Sequence, residues 1–248
     1  MPEIQAAPAA APKSPLSEIE RLNNVFIDPR RAFQDLVERP RWIVPVVLMV
    51  LLALAFTIAM GSHVGWDRIV RQGMEASERT QNMPPEQREQ AVAIGVKFAS
   101  IGAYGGAILA VPAVLLIAAG VLLLVFKGLL SAKLQFKQVF AICAYASLPG
   151  LINSFASLVV MLLKAPDDFD PQRAAIFNIG YYLDPSTAKW LMALASSIDV
   201  FTIWVILLMA TGLRVASRKL SFAQSVAGVA LPWVLVVIIK VGWAALRG

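Results

Sequence analysis

The stretch WIVPVVLMVLLALAFTIAM, residues 42–60, carries no charged side chain over 19 positions. About 20 apolar residues in a helix cross the hydrocarbon core of a bilayer, which is about 30 Å thick. Four more apolar stretches of at least this length follow, at residues 98–126, 138–163, 190–213 and 220–243. We therefore predict an all-α, polytopic integral membrane protein, with five transmembrane helices in a domain that covers residues 42–246.

The composition agrees with this prediction and excludes several classes of protein. Of the 248 residues, 58% are hydrophobic and 15% are charged, whereas a soluble domain has about 25% charged residues. One cysteine and one histidine cannot build a disulfide framework or a metal centre by themselves. Basic residues kept on the cytoplasmic side of a membrane account for the net charge of +6. We expect no metal, no cofactor and no nucleic-acid partner, and the lipid bilayer as the main partner.

The chain before the first span divides into two parts. Residues 1–16 are rich in alanine and proline, and we predict a disordered cytoplasmic tail there. In the segment 17–41, Ser17 and Glu20 have the spacing of a capping box, and Asp28 precedes a proline at a predicted helix start. This segment is predicted to form short amphipathic helices on the cytoplasmic side.

Apolar and basic residues are interleaved in this segment as in a helix that lies on a membrane surface. We expect Phe33 and Leu36 to enter the acyl boundary while arginines contact lipid headgroups. The basic residues concerned are Arg30, Arg31, Arg39 and Arg41. The alternative is a solvated linker with incidental apolar residues.

The distribution of lysine and arginine between the spans predicts the topology. The segment up to residue 41 and the loops 127–137 and 214–219 are basic, and the two loops contain no acidic residue. The connecting segments 63–97 and 164–189 have five and three basic residues against five and four acidic ones. Because cytoplasmic loops retain lysine and arginine, we expect the N-terminus inside and the C-terminus on the opposite side.

The motif S-x-K-L-x-F-x-Q occurs twice in the chain. The copies are residues 131–138 and 217–224, and a Leu-Pro pair follows each of them within the next span. Both copies lie in loops assigned to the same side, which fits a duplication in which spans two and three repeat as spans four and five. Convergence on a favourable membrane-entry sequence is the alternative.

Asp199 is an acidic residue predicted near the middle of span four. An acid at that depth costs about 2.5–3.5 kcal/mol on insertion scales, so it should face the helix bundle. Ser196 and Thr202 lie three residues to either side and extend a polar stripe. Span three carries a facing stripe at four-residue steps, which we call the span-three stripe: Tyr145, Pro149, Asn153 and Ser157. Two such stripes suit a proton or ion path, but the interpretation we favour is hydrogen bonding between helices.

Three other features carry less information. Gly102 and Gly106, with Ala110 one step further, form a glycine face that predicts close helix contact. His63 is expected to lie at the interface and Cys143 in the core. The sequence has no phosphate-binding loop, no G-x-S-x-G motif and no H-E-x-x-H motif, so we do not expect an enzyme.

Several short motifs occur in a defined order along the chain. They are Phe26-x-Asp28-Pro29-Arg30-x-Ala32-Phe33-x-x-Leu36 with Arg39-Pro40-Arg41-Trp42 before span one, Ala144-Tyr145-Ala146-x-Leu148-Pro149 in span three, and Asp199-x-Phe201-x-Ile203-Trp204 with Gly212 in span four. Together they resemble the bacterial branch of the Yip1 domain family over about residues 24–243. The resemblance implies five spans in a bacterial inner membrane, with a cytoplasmic N-terminus and a periplasmic C-terminus.

Eukaryotic members of that family are linked to vesicle transport, membrane shaping and Rab GTPase partners. The Asp-Leu-Tyr-Gly-Pro segment typical of eukaryotic members is absent, and their Gly-Tyr is Ala144-Tyr145 here, so GTPase binding is not carried over. We expect a non-enzymatic component that organises the membrane or binds partners. A small transporter or channel would instead use Asp199 and the span-three stripe. A structural subunit would present the glycine face to another membrane protein or to a second copy of the chain.

Overall fold

The computed structural model describes residues 15–75, 80, 83–166, 169, 176–184 and 186–246, and residues 1–14 of the predicted tail lie outside them. The α-helices are, in chain order, α1 (Glu18–Ile27), α2 (Pro29–Glu38), α3 (Ile43–Ala59), α4 (Trp66–Glu75), α5 (Pro85–Leu124), α6 (Phe136–Ala146), α7 (Pro149–Leu163), α8 (Lys189–Ala195), α9 (Val200–Ala216) and α10 (Phe222–Leu246). Single π-helical turns prolong α3 to Val64 and α5 to Leu129. The described ranges form no β-strand, only one isolated bridge between Asn178 and Asp199.

Four helical segments are long and apolar enough to cross a membrane. They are Ile43–Val64, Pro85–Leu129, Phe136–Leu163 and Phe222–Leu246. Large apolar side chains point outward from these segments; Phe98 on α5 is 72% exposed and Ile239 on α10 is 70% exposed. A soluble monomer rarely exposes apolar surface on this scale, so the structure is that of an all-helical membrane protein.

The predicted fourth span, residues 190–213, is not one continuous helix. The chain forms α8, leaves the helical conformation at residues 196–199, and then forms α9. With a rise of about 1.5 Å per residue, the 17 residues of α9 span roughly 25 Å, slightly less than a hydrocarbon core. The structure therefore has four long spans and a shorter apolar helix where the sequence predicts five equivalent spans.

The second long helix begins well before the predicted boundary at residue 98. Its 40 residues correspond to roughly 60 Å at the standard rise per residue, about twice the hydrocarbon thickness. The N-terminal part of α5 packs against α4, and Arg71 makes two hydrogen bonds of 2.9 Å with the carboxylate of Glu89. Hydropathy marks only the apolar part of this helix, because its first turns are polar.

Helices α1 and α2 form the N-terminal hairpin. The Ser17 hydroxyl accepts a hydrogen bond from the backbone N–H of Glu20, whose carboxylate accepts one from the Ser17 N–H. These hydrogen bonds, the backbone one foremost, lower the pKa of Glu20 below its usual value. Asp28 caps α2, and Pro29 is the first residue of that helix. Both predicted helix starts are confirmed.

The hairpin packs on the membrane bundle, and the largest part of the core lies beneath it. Helix α2 packs against α9 and α6, and α1 contacts α6 as well. Every residue from position 139 to position 146 of α6 is buried. On the remaining sides, α9 packs against α10, and α3 packs against α5 and α7.

Three segments that the sequence assigns to the cytoplasmic side meet at this end of the bundle. The end of α2, the loop before α6 and the loop after α9 line one cavity of about 650 Å³, which we call the basic groove. Its polar lining consists of Gln34, Glu38, Lys133, Ser217, Arg218 and Lys219. The arrangement agrees with the prediction that the three segments share one side.

The two copies of the repeated motif adopt the same local structure. Leu134 and Leu220 are both buried. Gln138 and Gln224 each accept a hydrogen bond from the backbone N–H three residues earlier, at 3.2 and 2.9 Å. The phenylalanine of each copy is the first residue of the next long helix, α6 or α10. The motif thus anchors and caps two helix starts at one end of the bundle.

Candidate functional site

A buried cluster of charged groups joins the N-terminal hairpin to α6. Arg21 is 1% exposed; its Nε donates to Asp35 Oδ2 at 2.5 Å and its Nη1 donates to Glu18 Oε1 at 2.6 Å. The Tyr145 hydroxyl, on α6, donates to Glu18 Oε2 at 2.6 Å. The backbone N–H of Leu16 donates to Asp35 at 3.2 Å. We call these groups the hairpin cluster, and they tie residues that are 127 positions apart in sequence.

The electrostatics of the hairpin cluster favour a fixed arrangement. Burial acts to lower the pKa of Arg21, but the hydrogen bond and charge of Asp35, with the charge of Glu18, outweigh burial and raise the pKa. A buried cation is costly unless carboxylates pair with it. Each carboxylate of the cluster also accepts a further hydrogen bond, so moving the hairpin would break several charge-assisted contacts together.

The apolar side of α2 is buried in protein. Phe33 and Leu36 are fully buried, so the prediction that they enter the acyl boundary is wrong. A Cβ atom at Gly212 would lie 2.5 Å from Ile142 Cγ2 and 3.0 Å from Phe33 Cδ1. Glycine at position 212 of α9 therefore makes room for the phenylalanine. The pattern of apolar and basic residues does not show what covers the apolar side, because hydropathy cannot distinguish a lipid surface from a protein surface.

Aromatic pairs reinforce the same interface. Phe26 of the hairpin meets Trp204 of α9 edge-on, with ring centroids 5.7 Å apart, and Trp42 meets Phe140 of α6 edge-on at 5.2 Å. Edge-to-face geometry is the favoured arrangement for such rings. Members of the separate motifs that carry the family resemblance thus contact one another at the hairpin interface. Sequence reasoning missed these pairings, because nothing in one sequence relates position 26 to position 204.

The four arginines predicted to face lipid, Arg30, Arg31, Arg39 and Arg41, are all exposed. Arg39 lies 3.8 Å from Asp35, and Arg41 lies 3.4 Å from Glu18, at the rim of the hairpin cluster. Their contact with headgroups stays a prediction.

Asp199 occupies the N-cap of α9, so its predicted place inside a continuous helix is wrong. Its Oδ1 accepts hydrogen bonds from the backbone N–H groups of Phe201 and Thr202, both at 2.9 Å, and its Oδ2 accepts one from the Thr202 hydroxyl. An aspartate at this position satisfies helix-end N–H groups and favours the positive end of the helix dipole. The sequence contained this signal, since Asp is a preferred N-cap residue, but the surrounding apolar run concealed it.

The side chain of Lys240, on α10, lies at the break between α8 and α9. Lys240 Nζ donates to the hydroxyls of Ser196 and Ser197, at 2.9 and 3.0 Å. The backbone of Asn178 forms the isolated bridge with Asp199. Lys240 falls within the predicted span 220–243, and nothing in the sequence indicates these contacts at the break.

Asn153 and Ser157 lie elsewhere, in a cavity of about 570 Å³ between α3, α5 and α7. The cavity lining is mainly apolar, with Thr57, Ser147 and Ser154 as further polar members. Asn153 Oδ1 is buried and has no hydrogen-bond partner among the described residues. Asp199 does not line this cavity, and Tyr145 belongs to the hairpin cluster. The structure therefore separates the residues that the sequence combined into two facing stripes.

The glycine face is open within the described chain. A Cβ atom at Gly102 or Gly106 would meet nothing within 4 Å, and Gly106 borders the cavity. His63 Nε2 lies 2.9 Å from the carbonyl oxygen of Lys164, and Cys143 is buried as predicted. In the part of the chain that the structure describes, no group of three or more His, Cys, Asp or Glu residues is placed to hold a metal ion.

With the fold and these contacts established, the chain can be compared with known proteins. A family model described as Yip1 domain matches residues 23–244. Comparison with curated proteins gave no match, and comparison with solved structures gave none. The family match covers nearly the whole chain and confirms the resemblance seen in its motifs. The chain therefore belongs to the Yip1 domain family, and its long apolar helices are those of a membrane protein of that family.

Proposed function

We propose that the protein is a non-enzymatic component of a bacterial inner membrane that organises the membrane or binds partners. The observation that carries this proposal is the hairpin cluster, which holds a non-spanning pair of helices in one orientation on the bundle. A rigid platform of this kind suits recognition, because little conformational entropy is lost when a partner binds. The partners would be other membrane proteins or a second copy of the chain.

The exposed side of the hairpin has the composition of a contact surface. Ile19 is 71% exposed and Ile27 is 82% exposed, and the exposed Arg30 and Arg31 follow at the start of α2. Large apolar side chains beside arginine are typical of interfaces with proteins or with lipid headgroups.

The proposed topology has five crossings, with α8 and α9 together forming the fourth. The basic segments then lie in the cytoplasm and residue 248 in the periplasm. A reporter that is active only in the periplasm should be active when fused after Gly248 and silent when inserted at residues 130–135. The reverse pattern would contradict this orientation.

Site-specific photo-crosslinking in native membranes tests the proposed role. A photoreactive residue at position 27, on the hairpin, should give a reproducible protein adduct. The same probe at position 246, at the far end of α10, is the matched control, because Leu246 is similarly exposed at 85%. Adducts that are identical at both positions, or absent from position 27, would contradict recognition by the hairpin.

A small transporter is the second candidate, and the cavity around Asn153 favours it. An unpaired amide oxygen in a cavity of about 570 Å³ suits a ligand that donates a hydrogen bond. Asp199, which the sequence assigned to the same transporter, caps α9 and is not part of the lining of this cavity.

A further inference from the structure

The basic groove combines three cations with one carboxylate. Lys133, Arg218 and Lys219 line it together with Glu38. The three cations are exposed, and within the described ranges none of them has a carboxylate within 4.0 Å. The groove therefore presents positive charge that the protein itself does not neutralise.

Two of these cations lie just before the start of a long apolar helix, which indicates their depth relative to the membrane. Lys133 and Lys219 each lie three residues before the first residue of a long apolar helix, α6 and α10 respectively. Those first residues, Phe136 and Phe222, are each 40% exposed. Lysine a few residues outside a span is typical of the cytoplasmic membrane interface, so we expect these cations at the depth of lipid phosphate groups.

The repeated motif holds the backbone of the two lysines in fixed positions. The buried Leu134 and Leu220 anchor the two loops, and the glutamine caps described above fix the two helix starts. The two lysines, one from each copy of the motif, therefore face one groove from defined backbone positions. Val37 and Val215 supply an apolar wall beside them.

We propose that the basic groove binds the phosphate headgroup of an anionic phospholipid. Basic pockets between membrane helices on the cytoplasmic side are suited to such headgroups. The phosphate would accept hydrogen bonds from the two lysines and the arginine, and the valine wall would contact the upper part of the acyl chains. This inference goes beyond the proposed function and does not depend on it.

Native mass spectrometry of the full chain in uncharged detergent tests the inference. Phosphatidylglycerol should bind more tightly than phosphatidylcholine with the same acyl chains, because the net charge of the headgroup is the difference between them. The variant Lys133→Gln/Arg218→Gln/Lys219→Gln should lower the affinity for phosphatidylglycerol by roughly tenfold to a hundredfold. The loss is expected because the variant removes all three cations of the groove, each of which attracts the phosphate. Glu38→Gln should raise the affinity, since it removes the carboxylate that opposes the phosphate.

The matched control is Lys127→Gln/Lys137→Gln/Arg214→Gln, which removes three cations of the same two basic loops but outside the groove lining. It should leave the affinity within about twofold, as expected for charges that only contribute to a screened surface field. An equal loss in both triple variants would show diffuse attraction and overturn the inference. Inorganic phosphate should not displace the lipid at millimolar concentration; displacement would show that the groove is a free-phosphate site and overturn the lipid assignment. Melting curves of both triple variants check that the fold is intact.

Discussion

The two ends of the bundle are packed very differently. At the end that carries the N-terminal hairpin, residues 139–146 of α6 are all buried. At the opposite end, the residues that the structure describes form a small buried cluster of Val64, Met161 and Phe169. The buried residues of α10, Ser225, Gly228 and Val229, all lie in its first two turns, next to the hairpin end.

This difference shows where protein contacts rather than lipid hold the fold together. The hairpin covers the ends of α6 and α9 and completes a core that the spans alone would leave open. We therefore expect the stability of the protein to depend mainly on contacts at the hairpin end.

The largest expected effect is that of Phe33→Ala. Phe33 is fully buried between α6 and α9, and truncating a buried phenylalanine costs about 3–5 kcal/mol of unfolding free energy. Chemical unfolding in mixed detergent micelles, followed by circular dichroism, measures the loss. Ile27→Ala is the matched control, because Ile27 is exposed on the same hairpin, and it should change stability by no more than about 0.5 kcal/mol. A loss for Phe33→Ala no larger than that of the control would mean that the hairpin is dispensable.

Arg21→Met should follow, with a loss of about 3 kcal/mol, because removing one member of a buried ion cluster leaves its partners unpaired. Methionine keeps most of the apolar stem, so the loss reports mainly on the charge. Adding Glu18→Gln and Asp35→Asn to Arg21→Met should restore part of the stability, since the uncompensated carboxylates are then gone. If the triple variant were less stable than Arg21→Met by the sum of the losses measured for Glu18→Gln and Asp35→Asn alone, the residues would not act as one cluster.

The sequence predicts some of these features and not others, for physical reasons. Hydropathy identified the four long spans, and local preferences identified the caps at Ser17 and Asp28, because both depend on neighbouring residues. The burial of Phe33 and the bond from Tyr145 to Glu18 depend on contacts across more than 100 positions, which one sequence does not reveal. The predicted position of Asp199 was wrong because a four-residue helix break has almost no effect on hydropathy averaged over a span.

The substitution Lys240→Met removes a polar contact at the opposite end, where we expect a smaller loss of unfolding free energy than for Arg21→Met. Lys240 donates to two serine hydroxyls at the break before α9, in exposed contacts. Exposed hydrogen bonds contribute little, so the loss in unfolding free energy should be about 0.5–1 kcal/mol. A loss as large as that of Arg21→Met would show that polar contacts of equal strength hold both ends. It would contradict the expectation that stability depends mainly on the hairpin end.

Asp199→Asn has the smallest expected effect, and it also separates a structural role from a transport role. Asparagine is as good an N-cap residue as aspartate, so its side-chain oxygen can still accept from the N–H groups of Phe201 and Thr202. The unfolding free energy should change by about 0.5 kcal/mol or less, whereas Asp199→Ala, which has no acceptor, should cost about 1 kcal/mol. In a strain that lacks the chromosomal copy, the asparagine variant should complement as well as the unaltered protein. A permanently neutral amide cannot release a proton. An asparagine variant that is stable yet fails to complement would therefore show that the carboxylate titrates during function. A transporter would then be the better explanation of this site.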